Sequence, residues 1–396
     1  MLTGRPTWAE IDLAAIGHNA GYFKARLSPG ARLCAVVKAD GYGHGAAPVA
    51  RAALAAGADC LAVAILDEAL SLRAAGFTEP VLILGHTPLM AAPLVVAHRL
   101  TQTVYDLDQA RALAAAAGAL GLTAKVHLKI DTGMGRLGVP PAEAGPLAAA
   151  INRLDHLELE GAFTHFAQAD AADKTSALKQ FAAFQEALAA IRDQGVTLAL
   201  RHAANSAAAL DLPQTHLDLV RVGISLYGLA PSAECGRDAP LKPALRFKTR
   251  VALLKDVPAG TPLGYGGAYV TPGPARIATL PVGYADGWTR RLAGRAEISF
   301  RGRRAKVVGR ICMDQCLADV SALPDLKTGD PVLLFGGPEL PVEEVAAHLD
   351  TINYELVCLI GRRVPRLYHH GSDPVAVPAP AGSDGRKVKE ARSSSQ

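Results

Sequence analysis

A lysine closes the first strongly apolar run of the chain. The segment reads Val36-Val37-Lys38-Ala39-Asp40-Gly41-Tyr42-Gly43-His44-Gly45. An amine at the end of a buried strand is partly stripped of water, so its pKa falls. The free base then suits Schiff-base formation with an aldehyde. The glycines after it permit a tight turn and close backbone approach. A solvated strand-end lysine is the plain alternative, and this segment alone does not decide between the two.

Other polar groups recur at equivalent places. The fifth apolar run passes into Lys129-Ile130-Asp131-Thr132-Gly133-Met134-Gly135-Arg136, and the sixth ends in Thr164-His165-Phe166. The seventh is followed by Asn205-Ser206, and the eighth by Arg221-Val222-Gly223-Ile224. Each of these reads as structural when taken singly. Five of eight runs delivering polar side chains at one end implies a site at the C-terminal rim of a barrel.

The elements that must position them follow from periodicity. Eight runs rich in Val, Ile and Leu read as buried parallel strands: Leu33–Val37, Cys60–Ile65, Val81–Leu84, Thr101–Tyr105, Lys125–Ile130, Leu157–Thr164, Leu198–His202 and Leu217–Val220. Helical segments such as Leu107–Gly118 and Thr175–Gln194 separate them. The pattern predicts an N-terminal (β/α)8 barrel of the TIM type. A doubly wound open sheet is the alternative, but no G-x-G-x-x-G follows the first run. Near Pro231 the texture changes to short strand-like runs punctuated by Gly and Pro, which predicts a C-terminal, mainly β domain. The expected division is barrel 1–235, β domain 236–371 and disordered tail 372–396, with the first ten or so residues free to pack against the β domain.

Composition narrows the class. The chain has 396 residues, half of them hydrophobic, with 41 Lys plus Arg against 37 Asp plus Glu for a net charge of +4. At ~150 residues per domain that length suits two or three domains. The small charge excess argues against a nucleic-acid or polybasic membrane partner. No apolar stretch is long enough to span a bilayer, and the N-terminus lacks a signal-peptide core, so a cytoplasmic protein is expected. The six cysteines (Cys34, Cys60, Cys235, Cys312, Cys316, Cys358) are dispersed and read as reduced thiols, with no metal site expected.

The segments AVVKADGYGHG, KIDTGMGRLG, THFAQAD, RVGISLYGLAP, GYGGAY, LPVGYADGWTRRL, VGRICMDQ and TINYELVCLIGRRVPRLY closely resemble those of alanine racemases, up to about Tyr368. The resemblance implies a pyridoxal-phosphate enzyme that interconverts L- and D-alanine by a two-base reaction and supplies D-alanine for peptidoglycan. By that resemblance Lys38 is the Schiff-base lysine and the base on one face of the substrate. Tyr265 is the base on the other face, contributed by the second subunit of a homodimer with shared sites. Arg221 resembles the arginine at the pyridine nitrogen. A permanently protonated guanidinium there leaves the nitrogen unprotonated and the ring a weaker electron sink. His165 resembles the histidine packed on the ring. Tyr42, Asn205, Ser206, Gly223, Ile224 and Tyr354 resemble the phosphate shell. Arg136, Met313 and Asp314 resemble groups at the substrate carboxylate, and Lys129 occupies the place of a carbamylated lysine. Tyr284, Arg290 and Ile352, with Asp170 or a neighbour, resemble a narrow access corridor.

Three other readings share these residues. A broad-specificity racemase of the same fold is one, but its relatives resemble proteins with signal peptides. A decarboxylase is another, but it would set a carboxylate where Arg221 stands. A non-catalytic pyridoxal-phosphate-binding protein would resemble the barrel alone.

Overall fold

The computed structural model describes residues 4–236 and 238–371. The expected tail lies outside them. The first strand, β1 (Thr7–Asp12), is followed by the helix Leu13–Arg26, which Asp12 caps by accepting from the N–H groups of Ala14 and Ala15. Eight parallel strands then run in order: β2 (Arg32–Val36), β3 (Cys60–Val63), β4 (Val81–Ile83), β5 (Thr101–Val104), β6 (Ala124–Lys129), β7 (Leu157–Phe163), β8 (Leu200–His202) and β9 (Leu219–Val222). They form one sheet in the order β8-β7-β6-β5-β4-β3-β2-β9. Two backbone hydrogen bonds, Asp218 to Arg201 (3.0 Å) and Arg221 to Ala204 (3.1 Å), cross the remaining gap between β8 and β9. The barrel is therefore closed apart from one weak seam, and that seam carries Arg221. All eight expected runs are strands. Their Val, Leu, Ile and Ala side chains are almost wholly buried, as strands covered on both faces require.

The second domain contains β10 (Leu245–Arg250), β11 (Leu253–Val257), β12 (Pro262–Leu263), β13 (Tyr269–Val270), β14 (Ala275–Leu280), β15 (Glu297–Phe300), β16 (Arg303–Val308), β17 (Cys316–Asp319), β18 (Pro331–Phe335) and β19 (Arg366–His369). Nine strands form a sheet in the order β11-β14-β17-β16-β15-β18-β10-β1-β19, so the N-terminal strand β1 is built into the C-terminal domain. Among the described residues no helix is long and apolar enough to cross a membrane.

One junction between the domains bears on chemistry. After β2 the chain makes a left-handed turn: Ala39, Asp40, Gly41, Tyr42 and Gly43 all have positive φ, between 51° and 78°. Each non-glycine residue there costs roughly 1–2 kcal/mol, so neighbours must hold it. Glu68 accepts from Ala39 N–H (2.6 Å), Asp40 accepts from Ala46 N–H (2.9 Å), and Arg366 donates to the Gly43 carbonyl (3.0 Å). The helix Asn353–Cys358 of the second domain packs so tightly on Gly43 that a Cβ there would strike the Val357 carbonyl. The turn that carries Lys38 is thus clamped from both domains.

Candidate active site

A cavity of about 570 Å³ opens at the C-terminal end of the barrel strands. Lys38, Tyr42, Lys129, Arg136, His165, Asn205, Ser206, Arg221, Gly223, Ile224, Ile352 and Tyr354 all line it, together with Asp170. These residues are delivered by the ends of β2, β6, β7, β8 and β9 and by the helix Asn353–Cys358. Tyr265, Met313, Asp314, Tyr284 and Arg290 do not line it. They belong to the β domain, where Tyr265 is 70% exposed and Met313 is 53% exposed. The turn holding Tyr284 hangs on this loop through Tyr284 N–H to the Cys312 carbonyl (3.1 Å) and Ala285 N–H to the Met313 carbonyl (3.0 Å).

The floor of the cavity is cationic. Arg221 is 3% exposed. Its Nη1 donates to His202 Nδ1 (2.8 Å), and its Nη2 to the carbonyls of Thr164 (2.9 Å) and Ala203 (3.1 Å) and to His165 Nδ1 (3.2 Å). No carboxylate touches it among the described residues. Burial lowers its pKa to about 10, which leaves it charged at neutral pH. Burial and the guanidinium of Arg136 lower the Lys38 pKa from that of a free lysine, against an opposing pull from Glu68. Burial, then Arg221 and Arg136, bring Lys129 down to about 7, and its ammonium finds only the Ile130 carbonyl at 3.3 Å. Burial and the same cations push His165 well below an ordinary histidine, so it is a neutral acceptor towards Arg221.

The opposite wall offers neutral donors. Asn205 caps the short helix Ser206–Asp211 by accepting from Ala208 N–H, and Ser206 Oγ accepts from Gly223 N–H (2.9 Å). A Cβ on Gly223 would lie 2.5 Å from the Tyr42 hydroxyl, so only glycine leaves that space open. The Tyr42 and Tyr354 rings lie 6.3 Å apart, and burial raises both phenol pKa values, which keeps them as O–H donors. Hydroxyls and backbone amides around an open cradle suit a dianion. A buried cation and a lowered-pKa lysine at the other end suit an aromatic aldehyde. The residues present therefore fit pyridoxal phosphate.

Sequence reasoning missed three kinds of supporting residue. Glu68 pins the Lys38 turn. Asp131 accepts from the N–H groups of Gly133, Met134 and Gly135 and so shapes the loop that presents Arg136. Asp286, fully buried, holds Arg5 and Arg363, and Arg363 reaches on to Asp314 (2.7 Å). Asp131 stands inside a motif already singled out. Nothing local marks the other two.

Family models for the N-terminal and C-terminal domains of alanine racemase match residues 11–231 and 244–368. The chain belongs to the alanine racemase family. A curated alanine racemase from Desulfovibrio desulfuricans is 56% identical, over 92% of this chain and 98% of its own length. The solved alanine racemase of Clostridium difficile superposes with a TM-score of 0.91 at 41% identity, covering 95% of this chain and 99% of that one. A Bacillus anthracis alanine racemase solved with bound L-Ala-P gives 0.88 at 39% identity, covering 93% and 96%. The match to both domains, rather than the barrel alone, sets this alanine racemase family member apart from a barrel-only binding protein.

The lowered pKa of Lys38 has a direct test. Reaction with an aldehyde followed by borohydride reduction is expected to mark Lys38 first. Its pH midpoint should fall below the 10.5 of an ordinary lysine. Labelling spread over surface lysines with Lys38 spared, read by peptide mass spectrometry, would contradict the site.

Proposed function

We propose that the protein interconverts L- and D-alanine, with Lys38 and Tyr265 as the two bases on opposite faces of the substrate Cα, and that it supplies D-alanine for peptidoglycan from the cytoplasm. The observation that carries this is the clamped, partly desolvated Lys38 amine facing the cationic cavity in a chain that matches the alanine racemase family through both domains. Pyridoxal phosphate, when bound, supplies an electron-withdrawing ring that acidifies the substrate Cα–H. Lys38 Nζ would hold the cofactor aldehyde in the resting protein. Tyr42, Ser206, Tyr354 and the backbone of Gly223 and Ile224, on a cradle shaped by Asn205, would hold its phosphate. Arg221 would face its ring nitrogen, and His165 would pack on the ring. Because Arg221 can only donate, it would present a hydrogen-bond donor to an unprotonated ring nitrogen, which would make the bound ring a weaker electron sink than one facing a carboxylate.

Arg136 orients the alanine carboxylate as a fork of N–H donors. Lys38 Nζ takes or returns the Cα proton on its own face. The Tyr265 hydroxyl serves the other, and both bases need their pKa values brought towards neutrality by the assembled site. Tyr265 and Tyr354 crowd the Cα substituent and leave room for a methyl group, which disfavours larger substrates. Asp170 and Ile352 stand at the cavity, and Tyr284 and Arg290 of the second copy would complete the access corridor.

Tyr265, Met313 and Asp314 reach a cavity only if the β domain of a second copy faces it. The functional unit in this reading is a homodimer with two shared sites. Lys129, buried among Arg136 and Arg221 with its pKa at about 7, is free amine in a substantial fraction of molecules at neutral pH. Its nitrogen can attack CO2, forming an N–C bond and releasing one proton to solvent. The resulting carbamate would place an anion against Arg136.

Two outcomes test these assignments. Lys38→Ala and Tyr265→Phe are each expected to lose racemisation, whereas mixing the two after dissociation should restore about a quarter of wild-type activity through the one intact site of each mixed dimer. No recovery in proven mixed dimers would contradict shared sites. Native mass spectrometry should show an increment of one CO2 that acid removes and Lys129→Ala abolishes. A protein that never carries it contradicts the carbamate.

A further inference from the structure

The Arg221 contacts do not end at His202. His202 Nε2 lies 2.8 Å from His127 Nδ1, and His127 Nε2 lies 3.1 Å from Glu160 Oε2. Glu160 in turn pairs with Lys125 at 2.6 Å. Both imidazoles are buried, His202 at 0% and His127 at 2% exposure. The hydrogen bonds can run in one direction only. Arg221 has no acceptor atom, so His202 Nδ1 must accept. The His202 proton then sits on Nε2 and is donated to His127 Nδ1. The His127 proton sits on its own Nε2 and is donated to the carboxylate. A second proton on either ring would face another donor, so both rings are neutral.

Strand pairing places the His127 and Glu160 side chains of this line on one face of the sheet. Pairing between β6 and β7 slips by one residue: Val126 opposes Leu159, but His127 opposes Gly161. Glu160 is left without an opposing residue on β6. Lys125 opposes Glu158 and pairs with Glu160 as well, so strand alternation sets His127 and Glu160 on one face. A Cβ at Gly161 would strike the Leu200 carbonyl at 2.5 Å and would lie 3.2 Å from His127 Nε2. Phe163 stacks on His202 with ring centroids 4.6 Å apart and planes 5° apart, which holds the second ring in place. The carboxylate stays ionised although burial opposes it, because His127 and Lys125 donate to it and bring its pKa to about 2.

We infer that Glu160 is a remote positioning residue for the cavity: by accepting from His127 it fixes the tautomers of His127 and His202, and so keeps an acceptor in front of Arg221 and the guanidinium aimed at the cavity. Without that acceptor, a His127 proton moved to Nδ1 would confront the His202 Nε2–H. Moving the His202 proton to Nδ1 would then confront Arg221. The effect on catalysis rests on the role proposed above for Arg221. The tautomers do not.

The test is 15N NMR of the histidine rings in the purified protein, assigned by loss of a signal in His127→Gln, together with alanine racemisation rates. The wild type should show His127 and His202 neutral, with the proton on Nε2 in both. Glu160→Leu should disturb both tautomers and lower kcat about ten- to a hundredfold, the scale of one hydrogen bond to a charged group, with a smaller change in KM. Glu160→Gln, which keeps an acceptor oxygen, should restore the tautomers and most of the rate. A wild-type His202 protonated on Nδ1 overturns the inference whatever the variants do. So does a folded Glu160→Leu with unchanged tautomers. A protein with these tautomers but no racemisation would refute the proposed function and leave the relay standing.

Discussion

A guanidinium lies buried at the barrel seam with no carboxylate of the described residues in contact, and it shapes the chemistry around it. Charge in a poorly hydrated interior is costly unless compensated, and Arg221 is met by two carbonyls and two neutral imidazoles. Its field, with those of Arg136 and Lys129, disfavours further protonation nearby. His165 stays neutral, the Lys129 pKa falls to about 7, and Lys38 becomes easier to deprotonate. Burial first, and this clustered positive charge second, turn ordinary basic residues into nucleophiles and acceptors.

That field is useful only if Lys38 is held in it. The left-handed turn after β2 is intrinsically strained and is kept by contacts from two domains: Glu68 and Asp40 from the barrel, Arg366 and the Val357 carbonyl from the β domain. The same β domain takes strand β1 from the N-terminus, so the chain crosses between domains before and after the barrel. Loss of the interface would release the lysine as well as the fold. Within the β domain, Asp286 and Arg363 order the loop of Met313 and Asp314.

Much of this was legible from residue types. The eight barrel runs were readable because strands buried on both faces must be continuous in Val, Ile and Leu. Their ends differ from the structure by one or two residues, and Arg221 proves to lie within β9 rather than after it. Strands β1 and β19 were not readable: TWAEID and RLYH are mixed in polarity and become strands only by pairing with each other and with β10. Glu68 looks like any acid in the first turn of a helix. Glu160 looks like a solvated strand residue, because its contact with His127 depends on the pairing of β6 with β7. Tyr265 was singled out by resemblance alone: it is 70% exposed and does not line the cavity, so nothing in its surroundings within the chain marks it.

The measurement closest to the central claim is the fate of the alanine Cα hydrogen. The protein should be incubated with L-alanine in D2O with pyridoxal phosphate, and the products resolved by chiral chromatography and mass spectrometry, with L-arginine in parallel. Racemisation predicts approach to an equal mixture of enantiomers, and two bases predict that the new Cα hydrogen comes from solvent. The D-alanine formed should carry a single solvent deuteron, and L-arginine should remain unchanged. Absence of D-alanine from the cofactor-loaded protein, or equal conversion of arginine, would contradict a two-base alanine racemase with a methyl-sized site.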